Sequence, residues 1–285
     1  MQIDLHTHST VSDGTEAPAV VLAQAARAGL DVVALTDHDT VGGWDEAAAA
    51  AEHLGIGLVR GIEISCSLAG RSIHLLGYLT RPDDTELMAD LARARESRET
   101  RMDRMVELLV ADGFSISIEQ VQAEVAEGAT LGRPHLADAL VTAGVVDDRS
   151  EAFARFLHSE SPYYVSHYAP DPVRAVELVV AAGGAAVLAH PYSRLHGRVV
   201  TPELIADLAT VGLLGLEVDH RDHDDHARRE LRGLAAELGL VTTGSSDYHG
   251  AGKPNLIGEN RTGPVALEAI VDAASGTDYL AGWVL

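Results

Sequence analysis

The chain has 285 residues, of which 46% are apolar, and a formal net charge of −22. These values are typical of one large α/β domain or of one domain that carries an insertion, and the negative charge argues against a binding surface for duplex DNA or an anionic membrane. A phosphorylated small molecule is not excluded, because bound divalent metal ions reverse the local field. A single cysteine, no visible signal sequence and no apolar run of bilayer length predict a cytoplasmic protein without an intramolecular disulfide.

The first part of the chain alternates strands and helices. Helices are predicted over residues 17–28 and 44–53, and each ends at a glycine. The second strand is a continuous run of Val, Ala and Leu, which is typical of a strand buried on both faces. This order favours a mostly parallel sheet or barrel. The predicted strands are 3–5, 31–35, 57–64 and 71–79.

The pattern changes after residue 80. A long charged helix is predicted over residues 85–112, with Gly113 as its stop signal. No segment between residues 84 and 166 has the pattern of a barrel strand. We therefore predict a helical insertion domain over residues 81–170, and a main body formed by residues 1–80 and 171–285. Shorter helices within the insertion are predicted over 118–126, 134–142 and 151–156.

The alternation of helix and strand resumes at residue 172. Strands are predicted over 185–189, 214–218 and 240–244, and a final helix over 265–275. The three histidines that follow the strand at 214–218 (His220, His223 and His226) either line the mouth of the barrel or, in the favoured interpretation, belong to a solvated first helical turn.

Side chains that ligate metals recur close to the predicted strands. Alternate residues of a strand point to the same side, so His6 and His8 can direct two imidazoles at one point. The carboxyl ends of the strands form the functional face of a β/α barrel. A lone histidine is usually a core or loop residue, but the convergence of nine such groups favours a metal site. The nine candidates are His6, His8, Asp13, His38, Glu63, His74, His190, Asp247 and His249.

Four motifs carry a resemblance to a known family. They are His6-Thr7-His8, Thr36-Asp37-His38-Asp39, Ala189-His190-Pro191 and Ser246-Asp247-Tyr248-His249-Gly250. These motifs resemble those of the PHP (polymerase and histidinol phosphatase) superfamily of metal-dependent phosphoesterases, and the resemblance covers essentially the whole chain. It implies a distorted (β/α)7 TIM-like barrel, with the helical insertion capping the carboxyl-terminal rim.

The resemblance also implies two or three divalent metal ions. Mixed imidazole and carboxylate ligands suit Mn, Zn or Fe. Carried over by position, the three ligand sets are His6, His8, Glu63 and Asp247; Glu63, His74 and His190; and Asp13, His38 and His249.

This chemistry requires no serine or cysteine nucleophile. Bound metals lower the pKa of water, so a metal-bridging hydroxide can attack phosphorus at neutral pH. The predicted catalytic group is this hydroxide, held by Glu63, His74, His190 and Asp247. Three aspartates beside ligand histidines are either partners that orient the imidazoles or ordinary turn and cap residues. They are Asp4, Asp37 and Asp39.

The insertion supplies candidate substrate contacts. In the branch of the family that acts on nucleotides, the stretch Gly132-Arg133-Pro134-His135 lies over the metal centre. Arg133 offers a bidentate fork for phosphate, and the helix N-terminus adds a favourable dipole. The predicted substrate-binding residues are therefore Arg133 and His135, together with Arg194, which lies near the rim by sequence.

The expected reaction is hydrolysis of a phosphate monoester of a small nucleotide, either AMP-like or a 3′,5′-bisphosphate. A 5′-to-3′ exonuclease acting on short RNA ends is a close alternative, and a histidinol-phosphate phosphatase fits the insertion less well. The alternative from another class is a non-enzymatic metal- or nucleotide-binding regulator. We expect neither duplex DNA nor a membrane as a partner, and a monomer or small homo-oligomer.

Overall fold

Seven strands join edge to edge in chain order in the computed structural model, which describes residues 1–126, 129–193 and 200–282. The strands are β1 (Ile3–Asp4), β2 (Val32–Leu35), β3 (Gly57–Leu68), β4 (Arg71–Tyr78), β5 (Ala185–Leu188), β6 (Leu213–Asp219) and β7 (Val241–Gly244). The barrel helices are α1 (Pro18–Arg27), α2 (Trp44–Leu54), α7 (Pro172–Ala181), α8 (Pro202–Thr210), α9 (Asp225–Leu238) and α10 (Pro264–Ala273). The helices between β4 and α7 are α3 (Thr85–Ala111), α4 (Ile118–Ala123), α5 (Arg133–Thr142) and α6 (Arg149–Ala152), followed by a π-helical turn (Phe153–Leu157).

The strands form a nearly closed barrel. β1, β2 and β3 pair in parallel, and so do β5, β6 and β7, whereas β4 is antiparallel to both of its neighbours. Just beyond β1 and β7, the His8 N–H donates to the Tyr248 carbonyl at 2.8 Å. The predicted distorted (β/α)7 TIM-like barrel is confirmed, with β4 as its reversed strand.

A tight hairpin between β3 and β4 causes the reversal. Ala69 and Gly70 adopt φ values of 50° and 76°, and Leu68 pairs with Arg71 across them. Two consecutive residues of positive φ are typical of the type I′ turn that matches the twist of paired strands. Because β4 runs backwards, its first half lies at the rim where β3 ends, and His74 pairs with Ser65.

Apolar side chains fill the barrel, and helices cover it. Inward-facing residues of five strands are fully buried together, among them Ile3, Leu76 and Val187. The Tyr78 hydroxyl, also buried, donates to the Leu5 carbonyl at 2.8 Å. Four barrel helices, α1, α7, α8 and α10, begin with a proline in the first turn, where its missing N–H is not needed. No helix in the described ranges is long and apolar enough to cross a membrane.

The helices between β4 and α7 share an apolar cluster of their own, which includes Met102, Leu136 and Phe156. This helical layer is attached to the barrel at several points. The Thr130 N–H donates to the Val11 carbonyl at 2.9 Å. Arg149 pairs with Asp138 inside the layer and donates to the Gly252 carbonyl at 3.3 Å. The layer therefore covers the rim on which β1 and β7 end.

Candidate metal centre

The nine side chains predicted to ligate metal converge on this rim. Eight of them are buried, and His74 is partly buried. Their nitrogen and oxygen atoms fall into overlapping groups, in each of which all candidate ligand atoms lie within 4.8 Å of one another. Such a set of buried imidazoles and carboxylates is costly to assemble without a compensating charge.

The tightest group is formed by His6, His8, Glu63 and Asp247. The Nε2 atoms of His6 and His8 are 3.0 Å apart, and they lie 3.1 and 3.0 Å from Glu63 Oε2. Asp247 Oδ1 lies 3.6 and 3.4 Å from the same two nitrogens. Four ligands about 2.1 Å from one ion in tetrahedral geometry lie about 3.4 Å apart. The observed spacing therefore fits one ion. The Lys253 ammonium donates to the other Asp247 oxygen at 2.8 Å.

The second oxygen of Glu63 faces a different set of imidazoles. Oε1 lies 2.8 Å from His74 Nδ1 and 3.1 Å from His190 Nε2. His38 Nδ1 approaches the first oxygen, Oε2, at 3.3 Å. Glu63 thus presents its two oxygens to two neighbouring groups, which is the geometry of a bridging carboxylate.

The third set surrounds Asp13. Its Oδ1 lies 3.2 Å from His249 Nε2, and its Oδ2 lies 3.8 Å from His38 Nε2. His8 Nδ1 lies 3.8 Å from Asp13 Oδ1, so the His8 ring stands between this group and the tightest one. The three sets implied by the family motifs are therefore adjacent in space.

Sequence reasoning missed Glu217, a fully buried residue of β6. Its Oε1 lies 3.1 Å from His6 Nδ1, and its Oε2 accepts the backbone N–H of His190 at 2.8 Å. Such a carboxylate fixes the tautomer of an imidazole, so that the opposite nitrogen is free to bind a metal. The detectable signal was an acidic residue inside the apolar strand predicted over 214–218.

The donors of the centre suit divalent cations. His38 Nδ1, Asp247 Oδ1 and His249 Nε2 are buried and have no hydrogen-bond partner among the described residues. Burial alone would lower the pKa of His8, but contacts with Asp247 and Glu63 outweigh it and raise the pKa to about 9. The two carboxylates thus keep a proton on His8 at the place where a cation would bind. A bound metal would have to displace this proton, because an imidazole ligates a metal only in its neutral form.

Two of the predicted ligands occupy unusual backbone conformations. His190 and Asp247 have φ values of 26° and 53°, in the left-handed region. The left-handed conformation of a non-glycine residue raises the free energy of the folded chain. It persists where the surrounding structure holds the residue in place. The Glu217 contact to the His190 amide is one such restraint.

Known proteins are similar to this chain in sequence and in fold. A PHP domain profile matches residues 4–128. A 3′,5′-nucleoside bisphosphate phosphatase of Chromobacterium violaceum is 36% identical over 251 residues, which cover 88% of this chain and 88% of that protein. The chain belongs to the PHP family.

Other relatives agree with this membership. A 5′-3′ exoribonuclease of Haemophilus influenzae is 35% identical over 86% of this PHP chain and 89% of its own length. The structure of a candidate metal-dependent phosphoesterase of Bifidobacterium adolescentis superposes with a TM-score of 0.93, at 39% identity and 96% coverage of both chains. The predicted PHP membership and the class of metal-dependent phosphoesterase are confirmed.

The helical layer of this PHP phosphoesterase contains two of the three predicted substrate residues, Arg133 and His135. Arg133 begins α5, donates to the Leu157 carbonyl at 2.7 Å, and lies 5.5 Å from the ring centres of Phe153 and Tyr164. His135 is buried, and its Nδ1 accepts the Gly132 N–H at 3.0 Å, so it also caps the helix. The third predicted residue, Arg194, lies outside the described residues.

The aspartates beside the ligand histidines bind other groups. Asp4 accepts the backbone N–H of Ser246 at 3.0 Å, and Asp37 accepts the Ser9 N–H at 2.8 Å. Asp39 accepts the Ser65 N–H at 2.8 Å. These bonds join segments that are distant in the sequence, and Asp37 also accepts the Ser12 hydroxyl, which lies 3.4 Å from His8 Nδ1. The two interpretations of these aspartates stay predictions.

The interpretation of the three histidines after β6 as solvated is wrong for two of them. His220 and His223 are buried, and only His226 is exposed. Both rings of the buried pair accept backbone N–H groups, from Asp222 and Tyr192 respectively. Their loop folds back over the rim, which a local sequence pattern does not reveal.

Proposed function

We propose that this PHP phosphoesterase removes a phosphate monoester from a small nucleotide, with a nucleoside 3′,5′-bisphosphate as the preferred class. The convergence of His6, His8, Glu63 and Asp247 to mutual distances of 3.0–3.6 Å carries the proposal. The substrate class is supported by the Chromobacterium phosphatase, which aligns over most of both chains.

We propose that the nine predicted ligands hold two or three ions of Mn, Zn or Fe. When bound, such ions supply a hydroxide from water of lowered pKa and neutralise charge on the phosphate oxygens. Glu63 positions its two oxygens toward adjacent groups of imidazoles. Glu217 holds the His6 ring. Hydrolysis adds water to phosphorus, breaks the bond to the nucleoside oxygen, and leaves inorganic phosphate and a nucleoside hydroxyl.

The helices over the rim serve, in this proposal, as a cap domain of residues 81–170. Arg133 contributes a guanidinium for a phosphate group, and His135 contributes the N–H that its Nε2 carries while Nδ1 accepts from Gly132. Arg194 is retained as a third substrate contact on sequence grounds. The cap excludes large duplexes from the rim and admits a small ligand.

A panel of phosphate esters tests the proposal. Protein loaded with Mn, Zn or Fe is expected to release inorganic phosphate from adenosine 3′,5′-bisphosphate faster than from AMP, and chelation is expected to abolish the release. Histidinol phosphate is the negative control of the panel. An Asp247→Asn variant lacks one carboxylate of the tightest group and is expected to lose at least 100-fold in kcat/KM. Absence of turnover with every metal on every nucleotide would overturn the proposal.

A second candidate, hydrolysis from the 5′ end of short RNA, is favoured by the Haemophilus exoribonuclease at 35% identity. The same ligand atoms would serve it, so the metal centre does not distinguish the two. A 5′-phosphorylated trinucleotide in the same panel distinguishes the two activities. If it is the better substrate by kcat/KM, the exonuclease replaces the nucleotidase.

A further inference from the structure

Lys253 is the only lysine among the 21 lysine and arginine residues of the chain. Its side chain is 39% exposed, and its ammonium donates to Oδ2 of Asp247, a candidate metal ligand, at 2.8 Å. Among the described residues, no other lysine or arginine lies within ion-pair distance of a candidate ligand carboxylate. The single lysine side chain therefore contacts the candidate metal centre directly.

The two oxygens of Asp247 have different surroundings. Oδ1 lies 3.6 and 3.4 Å from the Nε2 atoms of His6 and His8, and it is buried without a hydrogen-bond partner in the described ranges. Oδ2 accepts the Lys253 ammonium, and His220 Nε2 lies 3.6 Å from it. One oxygen is therefore available to an ion, while the other faces donors.

His220 contributes less to this arrangement than Lys253 does. Its Nδ1 accepts the Asp222 backbone N–H at 3.1 Å, so a neutral ring carries its proton on Nε2. That nitrogen is buried and has no hydrogen-bond partner within the described part of the chain. At 3.6 Å from Asp247 Oδ2 it is beyond ordinary hydrogen-bond length, so the Lys253 ammonium is the group that holds this oxygen.

The loop after β7 folds back to bring Lys253 to Asp247, six residues earlier in the chain. A short 3₁₀ turn, Gly250–Gly252, directly precedes the lysine. Asn255 is buried, and its Nδ2 donates to the Ser246 carbonyl at 2.7 Å, which closes the loop at its base. The ammonium thus reaches Asp247 from a restrained segment.

An ammonium group suits this position better than a guanidinium would. It is a compact charge on a flexible stem, whereas a guanidinium is planar and binds a carboxylate through two parallel N–H groups. Two such N–H groups would engage both oxygens of Asp247, including the Oδ1 that faces His6 and His8. The single contact of Lys253 leaves that oxygen available for an ion.

We propose that Lys253 is a positioning residue, which holds Asp247 through Oδ2 so that Oδ1 alone is presented to a metal ion. The inference rests on the proposed function and deepens it, because it concerns the same metal ions. A carboxylate whose orientation is set by an outer partner loses less conformational freedom when it binds an ion. Lys253 acts on the ion through Asp247 and does not ligate it.

Zinc binding tests the proposal without turnover. In calorimetric titration of chelator-treated protein with Zn²⁺, Lys253→Met is expected to weaken the tightest binding step about 10- to 100-fold. Arg221→Met is the matched control, because Arg221 is 38% exposed and pairs with Glu259, which is not a candidate ligand. A Zn²⁺ affinity of Lys253→Met equal to or above that of wild type would overturn the inference, since loss of a charge alone reduces the repulsion of the cation.

A double-mutant cycle shows whether Lys253 acts through Asp247. Asp247→Ala removes both oxygens and is itself expected to weaken Zn²⁺ binding, which His6, His8 and Glu63 keep measurable. In that background, Lys253→Met is expected to change the affinity by less than about threefold, because the group through which it acts is gone. The same loss in both backgrounds would mean that Lys253 merely supports the fold, and would overturn the inference.

Chemical rescue separates the ammonium group from the rest of the side chain. Lys253→Cys protein alkylated with 2-bromoethylamine carries an ammonium on a stem of nearly the same length, whereas iodoacetamide leaves a neutral amide. The first reagent is expected to restore the Zn²⁺ affinity to within about threefold of wild type, and the second is not. Equal affinities of the two alkylated proteins would overturn the inference. This comparison also replaces Lys253→Met if that variant does not fold.

The other cysteine does not interfere with the rescue. Cys66 is buried, and burial raises the pKa of its thiol, so we expect it to resist both reagents in the folded protein. Wild type treated with each reagent is the control.

The single lysine also gives a spectroscopic readout. Protein labelled with [ε-¹³C]lysine has one labelled side chain, whose resonance is expected to shift when Zn²⁺ binds to wild type and to stay unchanged in Asp247→Ala. An unchanged resonance in wild type that binds Zn²⁺ would overturn the inference.

These outcomes separate the inference from the proposed function. If wild type binds Zn²⁺ but releases phosphate from no nucleotide, the proposed function fails, and the Zn²⁺ affinities still decide the role of Lys253. If wild type binds Zn²⁺ and hydrolyses nucleotides while Lys253→Met keeps the wild-type affinity, the inference alone fails. If wild type binds neither Zn²⁺ nor Mn²⁺, both fail.

Discussion

Glu217 connects two of the candidate ligand histidines, which follow different strands. It binds the ring of His6 after β1 and the backbone amide of His190 after β5. Burial alone would raise the pKa of Glu217, but His6, His220 and His190 outweigh it and lower the pKa to about 2. The carboxylate is therefore ionised at neutral pH and accepts at both oxygens.

The sequence identified the nine candidate ligands because they stand in recognisable motifs at predicted strand ends. It did not identify Glu217, whose partner His6 is 211 residues away. That pairing depends on which strands face each other across the barrel.

Replacing Glu217 by glutamine is expected to weaken metal binding 10- to 100-fold. An amide can accept from only one of the two donors, because its nitrogen cannot accept from either His6 or the His190 amide. Metal affinity is measured by calorimetry on chelator-treated protein. Glu237→Gln, on the exposed face of α9, is the control and is expected to leave the affinity unchanged. An affinity for Glu217→Gln equal to that of wild type would show that the contact to His6 is dispensable.

Among the elements, helices were easier to predict than the direction of a strand. The helix predicted over 85–112 is observed as Thr85–Ala111, because its Asp84 cap and its end near Gly113 are local signals. The predicted strand over 57–64 continues to Leu68, and β4 runs antiparallel. The two-residue turn Ala69-Gly70 was the available signal, but alanine is rare in such turns.

The hairpin turn predicts a stabilising substitution. Ala69 has a φ of 50°, a conformation that asparagine tolerates better than alanine. Ala69→Asn is therefore expected to raise the free energy of unfolding by about 0.5–1 kcal/mol, measured by urea denaturation. Ala28→Asn is the control, because Ala28 has a φ of −73° and is expected to gain nothing. A destabilised Ala69→Asn protein would mean that the turn does not need the left-handed conformation.

At the scale of the whole molecule, the candidate metal centre joins distant parts of one barrel. The candidate ligands come from segments after β1, β2, β5 and β7 and from within β3 and β4. Without metal, the imidazole of His6 is protonated. Burial alone would lower the pKa of His6, but Glu63, Glu217 and Asp247 outweigh it and raise the pKa well above its ordinary value. A bound metal must displace this proton, and we expect metal binding to add stability to a barrel that is already formed.

Metal removal is therefore expected to lower the melting temperature without unfolding the chain. At a free metal concentration 1,000-fold above Kd, binding adds about 4 kcal/mol to the native state, which corresponds to a shift on the order of 10 °C. Differential scanning calorimetry of chelator-treated protein, before and after addition of Mn, Zn or Fe, measures the shift, and circular dichroism checks that the metal-free form is folded. Asp247→Asn lacks one carboxylate of the tightest group and is expected to show a smaller shift. An unchanged melting temperature with all three metals would contradict metal binding at this rim, because six strand regions meet at the proposed ligands and each would be restrained by the bound ions.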